Sequence, residues 1–400
     1  MPAISLAQEW TGFRGTQGNG VSAAEGFPGS FDDKSLAWRT TLPGAGVSSP
    51  VVWGGKVFLT SETEVAGERL VMAVDAVSGR ELWRVMVAFR PEGKHQFNSF
   101  ASSTPCVDGE RIYLAWTSGG KMLAQAHSHD GKSLWSRDLG VYAEDHGSGA
   151  SPVLGGKVLV ICKDNVGGDS FICGLAVEDG AVLWKHARTS VRTPFSTPLV
   201  FQQRDGTAAV LVAGNPAALT CLRVSDGKLL WEVLNATPTD RPVASPTLAG
   251  DVCFMSMGQG GAGKAMVAVR VTDAVPSILW QNTKGLPYVP TPVGVDNRFY
   301  VLGDGGVLTC LRAADGTEVY QERVFLDKAY SSPVLVGGRI YCIGRSGKVA
   351  VIAAGDTFKK LGEGQLGEDM DATPAIAEGR MFFRTKTHLL CLPAAAEPAQ

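Results

Sequence analysis

Ser48-Ser49-Pro50-Val51-Val52-Trp53-Gly54-Gly55-Lys56-Val57-Phe58-Leu59-Thr60 is the stretch that decides the fold. Pro50 opens a short apolar run, and a strand tolerates proline at its first residue because no ladder N–H is needed there. Gly54-Gly55 has the form of a two-residue hairpin turn. Lys56 to Thr60 alternates and is rich in β-formers, so it reads as a second strand. Arg69-Leu70-Val71-Met72-Ala73-Val74-Asp75 reads as the third. Ser78-Gly79 then supplies a turn with glycine where positive φ is required, and Glu81-Leu82-Trp83-Arg84-Val85 reads as the fourth strand.

The opening step recurs at near-regular intervals, at Pro50, Pro105, Pro152, Pro198, Pro246, Pro292, Pro333 and Pro374. A period of this order means stacked supersecondary units, and four strands per unit means the blades of a β-propeller. The turn before the fourth strand is followed by an aromatic residue: Gly131 and Trp135, Gly180 and Trp184, Gly227 and Trp231, Gly316 and Tyr320. The fifth unit places Pro276 ahead of Trp280 in place of the turn glycine, and Leu361 takes the aromatic slot in the seventh. One ring on each outer strand covers the seam to the next sheet, so these residues read as core rather than chemistry.

The chain ends test this reading. The shortest span from proline to aromatic runs from Pro292 to Tyr320, and the same span laid from Pro374 would pass the chain end at Gln400. The eighth unit therefore lacks a fourth strand of its own. Trp38 precedes Pro50 by the same interval that separates Trp280 from Pro292. The N-terminal strand around Trp38 is thus expected to complete the last blade and leave no unpaired edge between the first and last units. The prediction is all-β: an eight-bladed β-propeller of four-stranded antiparallel blades. It forms a single domain over residues 1–400, with 1–34 as a lead segment and 394–400 as a fraying tail.

A net charge of −2 argues against a nucleic-acid or anionic-membrane binder, which needs a basic excess. No apolar run reaches the ~18 residues of a membrane-spanning helix. Met1 to Gln8 lacks the charged and apolar regions of a complete export signal, yet Ser5-Leu6-Ala7 has the form of a cleavage site. The segment reads either as the stub of such a signal or as an ordinary N-terminus. Eight cysteines form no Cys-x-x-Cys motif. Cys221, Cys310 and Cys391 fall in the third-strand slot filled elsewhere by Ala73, Gly174 and Ala268, as small buried residues would. A hairpin turning at Gly167-Gly168 sets Cys162 opposite Cys173, which leaves a disulfide between them open.

In a propeller, the loops from each outer strand to the next inner strand share one face with the loops between second and third strands. That funnel collects polar groups on a rigid scaffold. The residues expected on its rim are His95, Asn98, Trp116, Glu144, Asp145, His146, Arg192, Arg241, Tyr288, Lys328, Tyr330, Asp369 and Asp371. His95, Asp145 and His146 come from consecutive loops and have the chemistry of metal ligands or an acid–base pair, but no fixed spacing supports them, which favours solvated rim residues. Glu368, Asp369 and Asp371 form an acidic patch expected to face Arg192 and Arg241, as a mixed-charge binding funnel or as plain surface ion pairs. No nucleophile motif is present.

Ala73-Val74-Asp75-Ala76-Val77-Ser78-Gly79-Arg80-Glu81-Leu82-Trp83 resembles the Ala-x-Asp-x-x-Thr-Gly-x-x-x-Trp repeat of PQQ-like, quinoprotein alcohol dehydrogenase-like β-propellers. Trp10-Thr11-Gly12-Phe13-Arg14-Gly15 is similar to the opening of exported members. The resemblance covers essentially the whole chain. It implies either PQQ-dependent dehydrogenases or a non-enzymatic, BamB-like branch. The enzymes carry a vicinal cysteine pair and long funnel insertions, and this chain has neither. PQQ also needs calcium held by carboxylate and amide oxygens plus a stacking aromatic, for which Asp145, Asn165 and Trp116 are the nominees. The expectation is a non-enzymatic, periplasmic or otherwise exported monomer, with a cytoplasmic location left open. It binds a protein or small ligand on the funnel face. The alternatives are a quinone-dependent oxidoreductase, with PQQ and calcium as cofactors, and a glycan- or peptide-binding module.

Overall fold

The computed structural model describes residues 9–63, 65–144, 146–234, 241–259, 262–272 and 276–395. It contains eight antiparallel sheets of four strands, one of them extended by a parallel fifth strand. Blade 1 comprises Val51–Trp53, Lys56–Glu62, Glu68–Asp75 and Glu81–Ala88, running from the axis outward. Blades 2 to 7 repeat that order. In blade 8 the strands Ala375–Ala377, Arg380–Arg384 and His388–Pro393 are completed by the N-terminal Trp38–Thr41, with Trp38 paired to Cys391. The ring closes with the strand the sequence nominates.

The residue before each repeat proline is a serine or threonine, and its hydroxyl accepts a hydrogen bond from the equivalent amide of the preceding blade. Ser49 donates to Thr104, Thr104 to Ser151, Ser151 to Thr197 and Thr197 to Ser245, over 2.9–3.1 Å. Ser245 donates to Thr291, Thr291 to Ser332, Ser332 to Thr373, and Thr373 back to Ser49, over the same range. Eight bonds form an unbroken circle around the axis. Proline supplies no N–H, so the residue ahead of it carries the amide that reaches the neighbouring blade.

Outside this circle the seams are closed by the outer-strand aromatics. Each ring stands opposite a small third-strand residue: Trp83 on Ala73, Trp184 on Gly174, Trp231 on Cys221, Trp280 on Ala268 and Tyr320 on Cys310. Cys221, Cys310 and Cys391 are buried, as expected of small apolar residues. Blade 7, which has Leu361 instead of an aromatic, is covered by the lead segment. Phe31 bridges to Gly364, where a Cβ would lie 2.3 Å from the Phe31 ring.

The lead segment also fills the axis on the side away from the funnel. Trp10 exchanges backbone hydrogen bonds with Val52 of blade 1, and Thr11 accepts from Val107 of blade 2. Arg14 donates to the carbonyls of Thr291, Pro292 and Pro333 in blades 6 and 7, and to Asn19. Burial pushes its guanidinium down to about 9. These contacts span the ring beneath the hydroxyl circle. Of the tail expected to fray, Ala394 and Ala395 are hydrogen-bonded to Gly379 and Gly26, and 396–400 lie outside the described residues.

The cysteine pairing needs correction. Lys163 faces Phe171, so the connection is centred on Gly167 rather than on the Gly167–Gly168 bond. Cys162 then pairs with Ile172, and Cys173 with Ile161. A one-residue slip puts the two thiols on opposite faces of the sheet, and both are free. Among the described residues no helix is long and apolar enough to cross a membrane.

Candidate functional site at the funnel mouth

The mouth is built from connections between blades. The connection over residues 89–105 leaves blade 1 and reaches inward until the Phe97 ring lies 6.1 Å from Tyr330. Tyr330 belongs to the connection between blades 6 and 7, three blades away around the ring, so this contact crosses the axis. His95 lies 5.5 Å from Phe97 and stacks on His146 at 5.5 Å with planes 10° apart. His146 in turn lies 6.2 Å from Phe195. The result is a continuous aromatic strip: Tyr330, Phe97, His95, His146, Phe195.

An arginine caps each end. Arg345 sits 4.5 Å from the Tyr330 ring and 5.0 Å from Phe97, and grips Asp371 at 2.6 and 3.0 Å. Its bonds to Asp371 raise its basicity. Arg241 lies 5.0 Å from the Phe195 ring and 3.9 Å from Glu144, whose carboxylate takes a 2.7 Å bond with His146 Nδ1. Asn98 holds two connections together, donating to the carbonyls of His146 and Ser148 at 2.6 and 3.2 Å. Lys94 pairs with Glu62 at 3.7 Å. The strip is flanked by compensated charge, not by a one-signed field.

The expected rim residues divide accordingly. His95, Asn98, Glu144, His146, Arg241, Tyr330 and Asp371 come together here. Arg192 is half-buried, and its carbonyl accepts from Ser190. The Tyr288 amide donates to Asp304 at 2.6 Å. The carbonyls of Lys328 and Asp369 accept from the amides of Arg345 and Lys386, beside the Arg345 end of the strip. Asp145 lies outside the described residues. Trp116 does not line the rim: the strand Arg111–Ser118 continues past it, leaving it 2 % exposed beneath the Arg69 guanidinium. Glu368 does not face Arg192 or Arg241, being bound by Thr385, Thr387 and His388.

Phe97, Phe195 and Arg345 were not among the expected site residues. A signal for one of them was present. Phe195, Tyr330 and Asp371 each stand three residues before a repeat proline, so equivalent backbone positions deliver them to the mouth.

Of the residues nominated for PQQ with calcium, Trp116 and Asn165 do not fit that group. Trp116 has Arg69 3.9 Å from its ring centroid, and no open face for a stacked quinone. Asn165 spends its amide on the carbonyls of Val141 and Asp169, and its oxygen on the Ala143 amide. Among the described residues no three of His, Cys, Asp and Glu are grouped to hold a metal ion.

A family model described as outer membrane protein assembly factor BamB matches residues 9–88, 67–288 and 277–360. The BamB of Yersinia pestis is 26% identical over 302 residues, covering 72% of this chain and 72% of that protein. A polyvinylalcohol dehydrogenase of a Pseudomonas species is 27% identical over 179 residues, which is 38% of this chain and only 27% of that protein's length. Among solved structures, BamB from Moraxella catarrhalis aligns with a TM-score of 0.65 at 12% identity, covering 89% of this chain and 99% of that one. The quinohemoprotein alcohol dehydrogenase of Comamonas testosteroni aligns at 0.68 and 12% identity, covering 98% of this chain and 82% of that one. At such identities the solved structures speak to the fold alone.

Proposed function

From the premise that the chain belongs to the PQQ-like propeller family described as outer membrane protein assembly factor BamB, we propose that it is a non-enzymatic binding propeller of the cell envelope. It docks a partner polypeptide on its funnel mouth. The observation that carries this reading is the aromatic strip across the axis, with Phe97 48% exposed at its centre. Aromatic and arginine side chains are the groups that dominate protein interfaces, the aromatics because they bury large areas at small cost in side-chain entropy.

The surroundings support it. Val65, Val166 and Leu326, which are 59%, 54% and 89% exposed, sit in loops of the same face. Exposed apolar side chains beside the strip enlarge the surface it offers a partner. The paired charges at the mouth give it little pull on phosphate or nucleic acid. The base is occupied by the chain's own lead segment, so axial binding is restricted to the mouth. A partner fitting this surface offers apolar and aromatic side chains in an extended segment, with backbone groups for the rim to meet.

Lysines on the two faces provide the test. Lys94 and Lys328 border the mouth, whereas Lys157 and Lys228 lie on turns of the base. Amine cross-linking of the protein in its native envelope, read by mass spectrometry, is expected to give intermolecular links from Lys94 and Lys328. Links from Lys157 and Lys228 in equal yield contradict the proposal.

A further inference from the structure

The seam between blades 1 and 2 differs from its counterparts in two side chains. In five seams an outer-strand tryptophan donates its indole N–H to a carbonyl at the base turn of the next blade: Trp38 to Ala76, Trp83 to His129, Trp135 to Val177, Trp184 to Val224 and Trp280 to Ala313. The acceptor residue is alanine or valine except in blade 2, where it is histidine. The third strand repeats the contrast. The residue after the small one opposite each aromatic ring is Val74, Leu175, Leu222, Val269 or Leu311, all buried. In blade 2, where Ala126 faces Trp135, it is His127, 4% exposed. Two imidazoles thus stand where other blades place aliphatic groups.

Their hydrogen bonds fix which nitrogens carry protons. His127 Nδ1 faces the Gly131 carbonyl at 3.3 Å and His129 Nε2 faces the Asp108 carbonyl at 2.9 Å, so each of those nitrogens donates. His127 Nε2 is then a bare lone pair, buried and with no hydrogen-bond partner among the described residues. A proton placed there is a donor without an acceptor and a charge in apolar surroundings. His129 lies against the Phe58 ring of blade 1, with centroids 5.1 Å apart. The charged groups around the pair offer no relief. Lys56 of blade 1 is itself a cation, and Arg111 is paired with Glu110. Asp108 already accepts from the Tyr113 hydroxyl and the amides of Glu110 and Arg111. Asp130 is 91% exposed, with Lys56 3.7 Å away. Burial holds both imidazoles below their ordinary 6.5, and Lys56 acts on His129 in the same sense.

We infer that this seam is an acid-operated joint: protonation of His127 and His129 parts the base ends of blades 1 and 2 and releases the Trp83 indole and the Lys56–Asp130 pair. In the parted state the imidazoles meet water and take up protons near pH 6.5, which the closed seam excludes. The closed form therefore has its full stability above pH 6.5 and loses it as pH falls below that value. The ring stays whole, because the Ser49 amide still holds Thr104 at the axis and residues 89–105 tie the two blades at the mouth. The joint uses no side chain of the aromatic strip and stands or falls independently of the proposed function.

The test compares solvent exchange at two indoles of the intact protein. Trp83 reports the joint, and Trp135 reports the next seam, which has Leu175 and Val177 in place of the histidines. Both N–H exchange rates are read by NMR, with assignments from Trp83→Phe and Trp135→Phe, and their ratio cancels the intrinsic effect of pH. The Trp83 to Trp135 ratio is expected to rise at least tenfold between pH 7.5 and pH 5.0. In His127→Leu/His129→Val, which gives blade 2 the side chains of blade 3, it should stay constant, and each single substitution should remove part of the rise. A ratio that does not change in the natural protein overturns the inference, whatever the variants do. An equal rise in the double variant, melting no lower than the natural protein at pH 7.5, overturns it as well.

Discussion

The amide of Thr373 donates to the hydroxyl of Ser49 across 3.1 Å, joining residues 324 apart in sequence and sealing the last blade to the first. This bond is one of eight around the axis. It places the connections between blades at fixed angles, and so fixes where Phe97 and Tyr330 meet and where Phe195 joins the strip through His146.

Removing one hydroxyl of the circle leaves a buried amide without an acceptor. Ser245→Ala orphans the Thr197 N–H and is expected to destabilise the fold by about 1–3 kcal/mol. Ser225→Ala, on an exposed turn, should change stability by less than about 0.5 kcal/mol. Chemical denaturation of the two variants compares them directly.

The two ends of the axis should behave oppositely. Trp10 is 3% exposed in the base, so Trp10→Ala is expected to cost about 3–5 kcal/mol through the cavity it leaves. Phe97→Ala at the mouth should cost no more than about 0.5 kcal/mol, because that ring is 48% exposed. A large loss of stability on removing Phe97 would mean that the strip is packing, not a surface kept for a partner.

Glu368 gives the fold a pH dependence. Burial alone would raise its carboxyl, but the Thr385 and Thr387 hydroxyls, the Thr387 amide and His388 together hold it at about 2 against an ordinary 4.5. A carboxyl depressed in the folded state stabilises it fully above pH 4.5, and that contribution is lost as pH falls from 4.5 toward 2. The natural protein should therefore lose more stability than Glu368→Gln between pH 5 and pH 3. Denaturation midpoints across that interval check the sign.

All eight cysteines are buried and free, and burial pushes the Cys162 and Cys173 thiols up to about 12. A thiol held protonated and covered reacts slowly. Alkylation of the native protein at pH 8 is expected to label none of the eight, and alkylation after unfolding without reductant to label all of them. Six labels would restore the disulfide.

The fold was legible because the proline and aromatic periods report backbone geometry that every blade must repeat. The hydroxyls were in plain view beside those prolines, as serine or threonine each time, but each one's partner lies a whole blade away and no local rule reveals it. The cysteine register was lost by one residue because the position of a turn within Asp164–Asp169 depends on which glycine takes positive φ, and that is Gly167. Trp116 was misplaced because the second strand of blade 2 runs on to Ser118, carrying the ring into the ladder instead of the loop. The pairing of His95 with His146 was legible from loop order. The reach of Phe97 to Tyr330 was not, since it depends on how far an irregular connection extends over the axis.

The claim that the mouth is a partner-binding surface is tested most directly by one comparison of cross-linking yields. In Phe97→Asp/Tyr330→Asp, intermolecular adducts at Lys94 and Lys328 should fall at least tenfold relative to the natural protein, at an unchanged melting temperature. Adducts persisting at full yield in that variant would contradict the account.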